Sequence, residues 1–297
     1  MITAAEKRQR LNTRLKEPGI LVAPGIFDMI STRLADSMGF DLLYMTGYGS
    51  VASYLGLPDA GLATYTDMVN RASAFAQCAH TPLIADGDTG YGGLLNVAHT
   101  IKGYEAGGAA GIQLEDQEFP KKCGHTPGRR VIPAADMVKK IRVAVDARSS
   151  ADFLIVARTD ARTTLGIDEA LRRAEAYAQA GADILFVESP ESPEEMARIA
   201  AAIDKPVLIN NVEGGRTPLL PKDELEKMGF KLAIYPATGF LAAGHALAQA
   251  YEALSRDGSS SALQGRLYDF ESFNQLIGFP EVWEFDKTYA DDKPDAS

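Results

Sequence analysis

Short apolar runs recur along the chain, and most of them are broken at their carboxyl ends by a polar residue. They lie at residues 20–23 (ILVA), 42–46 (LLYMT), 82–86 (PLIAD), 111–115 (GIQLE), 153–158 (FLIVAR), 184–188 (ILFVE), 206–210 (PVLIN) and 232–236 (LAIYP). Parallel strands covered by helices need this near-continuous apolar composition rather than alternation. Between the runs, segments 26–37, 66–79, 96–106, 134–147, 167–180, 193–202, 222–228 and 241–254 read as helices. Glycine stands where four of these helices should stop, at Gly39, Gly107, Gly181 and Gly229, just before the next run. Strand–helix alternation fits a doubly wound sheet or a closed barrel. No Gly-x-Gly-x-x-Gly fingerprint follows the first run, and about thirty residues per unit suits eight units, so the expected fold is an α/β, TIM-type (β/α)8 barrel.

The two ends read differently. Residues 4–17 are polar and helix-prone, with Leu11 and Leu15 on one face, and Pro18-Gly19 stops them. After Tyr251 a polar linker at 256–263 (RDGSSSAL) leads into a segment carrying Phe270, Phe273, Leu276, Ile277, Phe279, Val282, Trp283 and Phe285. So many large apolar groups beyond a complete barrel should be buried against that barrel or against a neighbouring subunit. The expected division is a barrel with its N-terminal arm at 1–255 and a helical extension at 256–297.

Composition narrows the function. The 297 residues are 46% apolar and 24% charged, with no apolar stretch long enough to span a bilayer and no apolar signal region after MITAAEKRQR. A net charge of -10 disfavours nucleic acid and anionic membrane as partners. It also repels an anionic substrate unless a local cation and arginines reverse the field. Two cysteines, Cys78 and Cys123, make no disulfide framework, and a reduced, cytoplasmic setting is expected.

Thr46, Asp86, Glu115, Arg158, Glu188 and Asn210 each stand at the carboxyl end of a run, the rim on which barrel enzymes build their active sites. Asp86 and Asp88 in DGDTGYGG, with Glu115, offer hard oxygen donors without a convergent His/Cys set, which favours Mg2+ or Mn2+ over Zn2+. An Asx-turn in a tight loop is the bland alternative. Cys123 lies in a polar loop beside Lys121, Lys122, Gly124 and His125, where positive groups can favour a thiolate or poise a thiol next to an anion. His125 can serve as base, orienter or carboxylate ligand. Cys78, in AFAQCAH, reads instead as a buried structural cysteine. Arg158 can bind a carboxylate bidentately or form a surface salt bridge. Glu188, Asn210 and Glu213 can bind substrate or hold Arg158 in place.

These motifs together, YMTGYG at 44–49, GLPDAG at 56–61, DGDTGYGG at 86–93, QLEDQEFPKKCGH at 113–125, ARTDA at 157–161 and FVE at 186–188, resemble the isocitrate lyase and phosphoenolpyruvate mutase superfamily. Within it they are most similar to the short 2-methylisocitrate and 2,3-dimethylmalate lyases. The resemblance implies Mg2+ at the strand ends and cleavage of a 2-hydroxy di- or tricarboxylate to pyruvate and a second carboxylate. It also implies a homotetramer built as a dimer of helix-swapped dimers. Carried onto this chain, Tyr44, Thr46, Gly47 and Tyr48 match the loop that cradles substrate, and Asp59 matches a site residue near the metal. Asp86, Asp88 and Glu115 match the metal-associated acids. Lys121, Cys123, Gly124 and His125 match the mobile catalytic loop, with Cys123 as the acid. Arg158, Glu188 and Asn210 match substrate and site-organising positions. The base stays open between Tyr44, a metal-bound water and a loop residue. Two departures bear on substrate preference: Gly87 replaces the alanine of DADTGYG, and Val212 stands where threonine is frequent. An oxaloacetate acetylhydrolase and a noncatalytic metabolite-binding barrel are the alternatives, while KKCGH speaks against the phosphonate enzymes.

Overall fold

The computed structural model describes residues 2–124 and 128–290. The chain runs α1 (Ala4–Lys16), β1 (Leu21–Ile26), α2 (Met29–Ser37), β2 (Leu43–Met45), α3 (Gly47–Leu55), α4 (Tyr65–Cys78), β3 (Leu83–Asp86), α5 (Leu94–Ala106) and β4 (Gly111–Glu115). It continues α6 (Ala134–Ala147), β5 (Leu154–Thr159), α7 (Arg162–Leu165), α8 (Ile167–Gln179), β6 (Ile184–Val187), α9 (Pro193–Ala202), β7 (Val207–Asn210), α10 (Lys222–Met228) and β8 (Leu232–Tyr235). Then follow α11 (Thr238–Asp257), α12 (Phe270–Ile277) and α13 (Phe279–Tyr289). All eight strands are parallel and pair in sequence order, and β1 pairs with both β2 and β8, closing the barrel. The (β/α)8 expectation holds.

Alternation along each strand sorts the side chains into two cores. Leu21, Tyr44, Ile84, Leu154, Val156, Ile184, Phe186, Leu208, Leu232 and Ile234 form one buried cluster inside the barrel. Their neighbours, among them Met45, Ala85, Ile112, Leu114, Ile155, Ala157, Leu185 and Ile209, face outward into the cluster that the helices cover. Continuing the inward row by two residues per step leads from Tyr44 to Thr46, from Ile84 to Asp86, from Val156 to Arg158, from Phe186 to Glu188 and from Leu208 to Asn210. The polar rim is therefore the last inward-facing layer of the barrel interior.

Local chemistry explains where the elements differ from expectation. The helix expected from residue 26 starts at Met29, because Asp28 caps it, with its carboxylate accepting the Ser31 N–H at 2.7 Å. The unforeseen α3 begins directly after β2, with Thr46 as its N-cap. Two glycines in its first turn disguise it as loop. Cys78, expected to be buried, is only partly covered at the end of α4.

The chain divides into two compact units, Met1–Leu241 and Ala242–Ser297. Within the second unit, Phe279 and Trp283 pack with ring centroids 5.9 Å apart, and Tyr268 meets Phe273 edge-on at 6.0 Å.

Candidate active site

A cavity of about 270 Å³ opens at the carboxyl ends of the strands. Its lining combines polar residues, Tyr44, Asp59, Asp86, Glu115, Arg158, Glu188 and Asn210, with apolar ones, Phe186, Val212, Ile234, Pro236, Phe240 and Leu241. The segment Lys121–Gly124 also lines it. Thr46, Gly47, Tyr48 and Glu213 line it too. Of the anticipated site residues, Asp88 sits just behind the lining, and His125 lies outside the described residues.

Arg158 is 7% exposed and surrounded by acids. Its Nε and Nη2 donate to the two Asp160 oxygens at 2.9 Å each, Nη1 lies 3.2 Å from Glu115, and Nη2 lies 3.3 Å from Glu188. Its guanidinium also rests over the Phe186 ring, 5.3 Å from the centroid. The surface salt-bridge alternative is thereby set aside. Burial alone would lower its proton affinity, but Asp160, Glu115 and Glu188 outweigh burial and hold the guanidinium charged.

Lys121, 3% exposed, bridges Asp59 and Asp88, reaching Asp88 Oδ1 at 2.6 Å. Burial pushes it toward neutrality, and the attraction of Asp88, Asp59, Glu115 and Asp86 reverses this and keeps it an ammonium ion. The loop is held at further points. Gln117 brackets Lys122, accepting its N–H at 2.9 Å and donating to its carbonyl at 2.8 Å. Ser189 Oγ donates to the Gly124 carbonyl at 3.0 Å. A Cβ on Gly124 would strike Arg158 Nη2 and stand 2.7 Å from Glu188 Oε2, so glycine permits this approach.

Burial drives the Asp86 and Glu115 carboxyls above their usual range, and it pushes Asp88 up to about 7. Among the described residues no three His, Cys, Asp or Glu side chains close on a point as a metal cage by themselves. The donors nonetheless suit a hard dication that keeps water and substrate in its shell. Glu115 Oε1 is buried without a hydrogen-bond partner, and Asp86 presents Oδ2 to the backbone at Gly47, where a Cβ would collide with it. Asp88 is turned to Lys121, and its N–H donates to Asp86 Oδ1 at 3.0 Å, which places it as a support for Asp86.

Tyr44 donates to Gln113 Oε1 at 2.8 Å, and Gln113 Nε2 donates to Asp86 at 3.4 Å. Burial, followed by the nearby Asp86 charge, raises the phenol well above its ordinary value. Tyr48 stacks on Phe240 at 5.1 Å. The first-turn amides of α3 open onto the cavity, a geometry that favours an anionic group. Gln113, Phe186 and Phe240 were not foreseen. For the first two, the inward alternation that leads to Glu115 and Glu188 carries the signal.

The family described as phosphoenolpyruvate phosphomutase matches residues 11–255. A 2,3-dimethylmalate lyase of Eubacterium barkeri is 49% identical over 290 residues, covering 98% of this chain and 99% of that protein. A 2-methylisocitrate lyase of Aeropyrum pernix is 40% identical over 269 residues, covering 91% of this chain and 86% of that one. Among solved structures, an oxaloacetate acetylhydrolase with the inhibitor 3,3-difluorooxalacetate has a TM-score of 0.90 at 35% identity, covering 97% of both chains. A 2,3-dimethylmalate lyase has a TM-score of 0.90 at 36% identity, covering 100% of this chain and 99% of that one. The chain belongs to the phosphoenolpyruvate mutase/isocitrate lyase superfamily, in which it is a carbon–carbon lyase.

Proposed function

We propose that the chain is a Mg2+-dependent lyase that cleaves a 2-hydroxy di- or tricarboxylate of the 2,3-dimethylmalate or 2-methylisocitrate type to pyruvate and a second carboxylate. The observation that carries this reading is that Cys123 lines the same cavity as the buried Arg158 and as Glu115, whose Oε1 has no hydrogen-bond partner. Asp86 and Glu115 would hold the dication, with Asp88 supporting Asp86, and the ion supplies positive charge against the oxyanion that develops on cleavage. Mn2+ suits the same donors.

The chain's own residues do the rest. Arg158 and the α3 amides take carboxylate groups and set the C2–C3 bond against the loop. The hydroxyl proton leaves, C2–O becomes a carbonyl, and C3 departs with the bonding pair delocalised into its carboxylate. Cys123 delivers its thiol proton to C3. Tyr44, held protonated, donates a hydrogen bond, and the hydroxyl proton passes to a carboxylate that lines the cavity, such as Glu188. Lys121 keeps the loop seated through Asp59 and Asp88, and the apolar lining at Phe186, Val212 and Phe240 excludes water and receives the alkyl side of the substrate.

Incubation with 2,3-dimethylmalate, 2-methylisocitrate and oxaloacetate in the presence of Mg2+ tests this. Pyruvate with propionate or with succinate is the expected outcome, and EDTA should abolish it. Acetate plus oxalate from oxaloacetate, with no pyruvate from the other acids, would instead favour the hydrolase reading, to which the likeness to oxaloacetate acetylhydrolase points.

We further propose a cytoplasmic homotetramer assembled as a dimer of helix-swapped dimers. Support comes from the exposed Phe270, Phe279, Val282, Trp283 and Phe285 of α12 and α13. No helix of the described residues is long and apolar enough to cross a membrane. Light scattering should give four chains per particle, and W283E/F285E should give a smaller one. A monomeric wild-type protein would exclude the assembly.

A further inference from the structure

Arg129 plays no part in the chemistry above, yet it is built into the site's support. Its side chain is inside the protein, 3% exposed, with Nη1 donating to Asp160 Oδ1 at 2.6 Å and Nη2 to Thr163 Oγ1 at 2.6 Å. Its Nε is buried without a partner, a cost that calls for compensation. Asp160 is the same carboxylate that holds Arg158 through two bonds, so Asp160 Oδ1 bridges the two guanidinium groups. Asp160 is also fixed from behind. Its N–H donates to Asp116 Oδ1 at 2.9 Å, and Asp116 Oδ2 accepts from Thr159, Arg173 and Tyr177 at 2.7, 2.9 and 2.7 Å. Arg173 in turn donates to the Ile132 carbonyl at 2.9 Å, which anchors the segment leading into α6.

We propose that Arg129 is a positioning residue for the substrate arginine: by sharing Asp160 it fixes the orientation of that carboxylate and leaves part of the Arg158 charge available to a substrate carboxylate. Without Arg129, Asp160 would face a single cation and draw Arg158 toward itself, away from Glu115 and Glu188. Charge as well as shape is at stake, because a bidentate pair in a dry site transmits both.

The proposal rests on the reading of Arg158 as the residue that binds substrate, and the test separates the two. R129Q and D160N should each raise KM about tenfold or more, with a smaller effect on kcat, since Arg158 anchors a group bound before and during the reaction. The double variant should be no worse than the poorer single one, because both act through the same contact. R129K, which keeps the charge, should recover part of the loss. Equal losses in R129Q and R129K that track their melting temperatures, or additive losses in the double variant, would mark Arg129 as structural and overturn the proposal. If the wild-type protein turns over none of the candidate acids, the functional reading fails, and crystal structures of wild type and R129Q still decide the positioning role. A shifted Arg158 guanidinium supports it, and an unmoved one rejects it.

Discussion

At the scale of single residues, the chemistry rests on charges that burial would suppress and neighbours restore. Lys121 and Arg158 stay charged because carboxylates surround them, while Tyr44 stays protonated because burial and Asp86 oppose its ionisation. The proposed acid is Cys123, which lines the cavity. C123S should therefore bind Mg2+ and substrate as the wild type does and lose about 10²–10⁴-fold in kcat, read by single-turnover kinetics. Near-normal turnover would remove Cys123 from the acid role. Gly124 offers a sharper probe of geometry. A methyl group there meets Arg158 and Glu188, so G124A should lower kcat/KM by about 10–100-fold at an unchanged melting temperature. Full activity in G124A would mean that the segment does not seat against Arg158 during turnover.

At the scale of elements, the barrel was legible because each strand is a short apolar run followed by a helical segment, and four of those helices stop at a glycine just before the next run. The rim was legible because polarity breaks the runs at their carboxyl ends. What escaped was the inward row beneath the rim: Gln113 and Phe186 lie two residues before Glu115 and Glu188, and counting back by two along each strand would have found them. The α3 helix escaped for a different reason. Gly47 and Gly49 read as loop, yet Gly47 must lack a side chain to pass Asp86, and Phe27, Thr46 and Phe240 crowd Gly49. Asp160 stood in the ARTDA motif without a role, and Arg129 had no local signal, because their partnership depends on a loop returning to the end of β5. Side-chain contacts also tie elements that lie apart in sequence. Asp36 at the end of α2 accepts the His80 and Thr81 amides at 2.9 and 2.8 Å and so fixes the turn into β3. Its burial raises the carboxyl pKa, but these bonds outweigh it and bring the value below the ordinary one. The stabilisation is therefore full above the unfolded-state pKa and fades as pH falls through the lower folded-state value. Asp36→Ala should cost about 1–3 kcal/mol near pH 7. The gap in melting temperature between the two proteins should narrow toward pH 3, and a gap constant with pH would show that charge has no part in it.

At the scale of the whole molecule, the barrel separates its stability from its chemistry by placing them at opposite ends. The arm helix α1 closes the end where the strands begin. Leu11 is fully buried in the interior cluster with Leu21, Leu42, Leu154 and Leu232, next to the starts of their strands. Lys7 donates to the Ala76 carbonyl at 2.7 Å and Arg8 to the Ala109 carbonyl at 3.0 Å, so the two cations satisfy backbone acceptors near the ends of α4 and α5. Arg8 also lies over the Phe153 ring at 5.6 Å. Nothing in this plug reaches the cavity, whose lining begins at Tyr44 and ends at Leu241. Leu11→Ala should therefore lower stability by about 2–5 kcal/mol, the cost of a cavity in a close-packed core, measured by urea unfolding. At temperatures where the variant remains folded, its kcat and KM should equal those of the wild type. A change in KM with intact folding would mean that strain passes through the barrel interior, from Leu11 by way of Leu154 and Val156, to Arg158 on the same inward row.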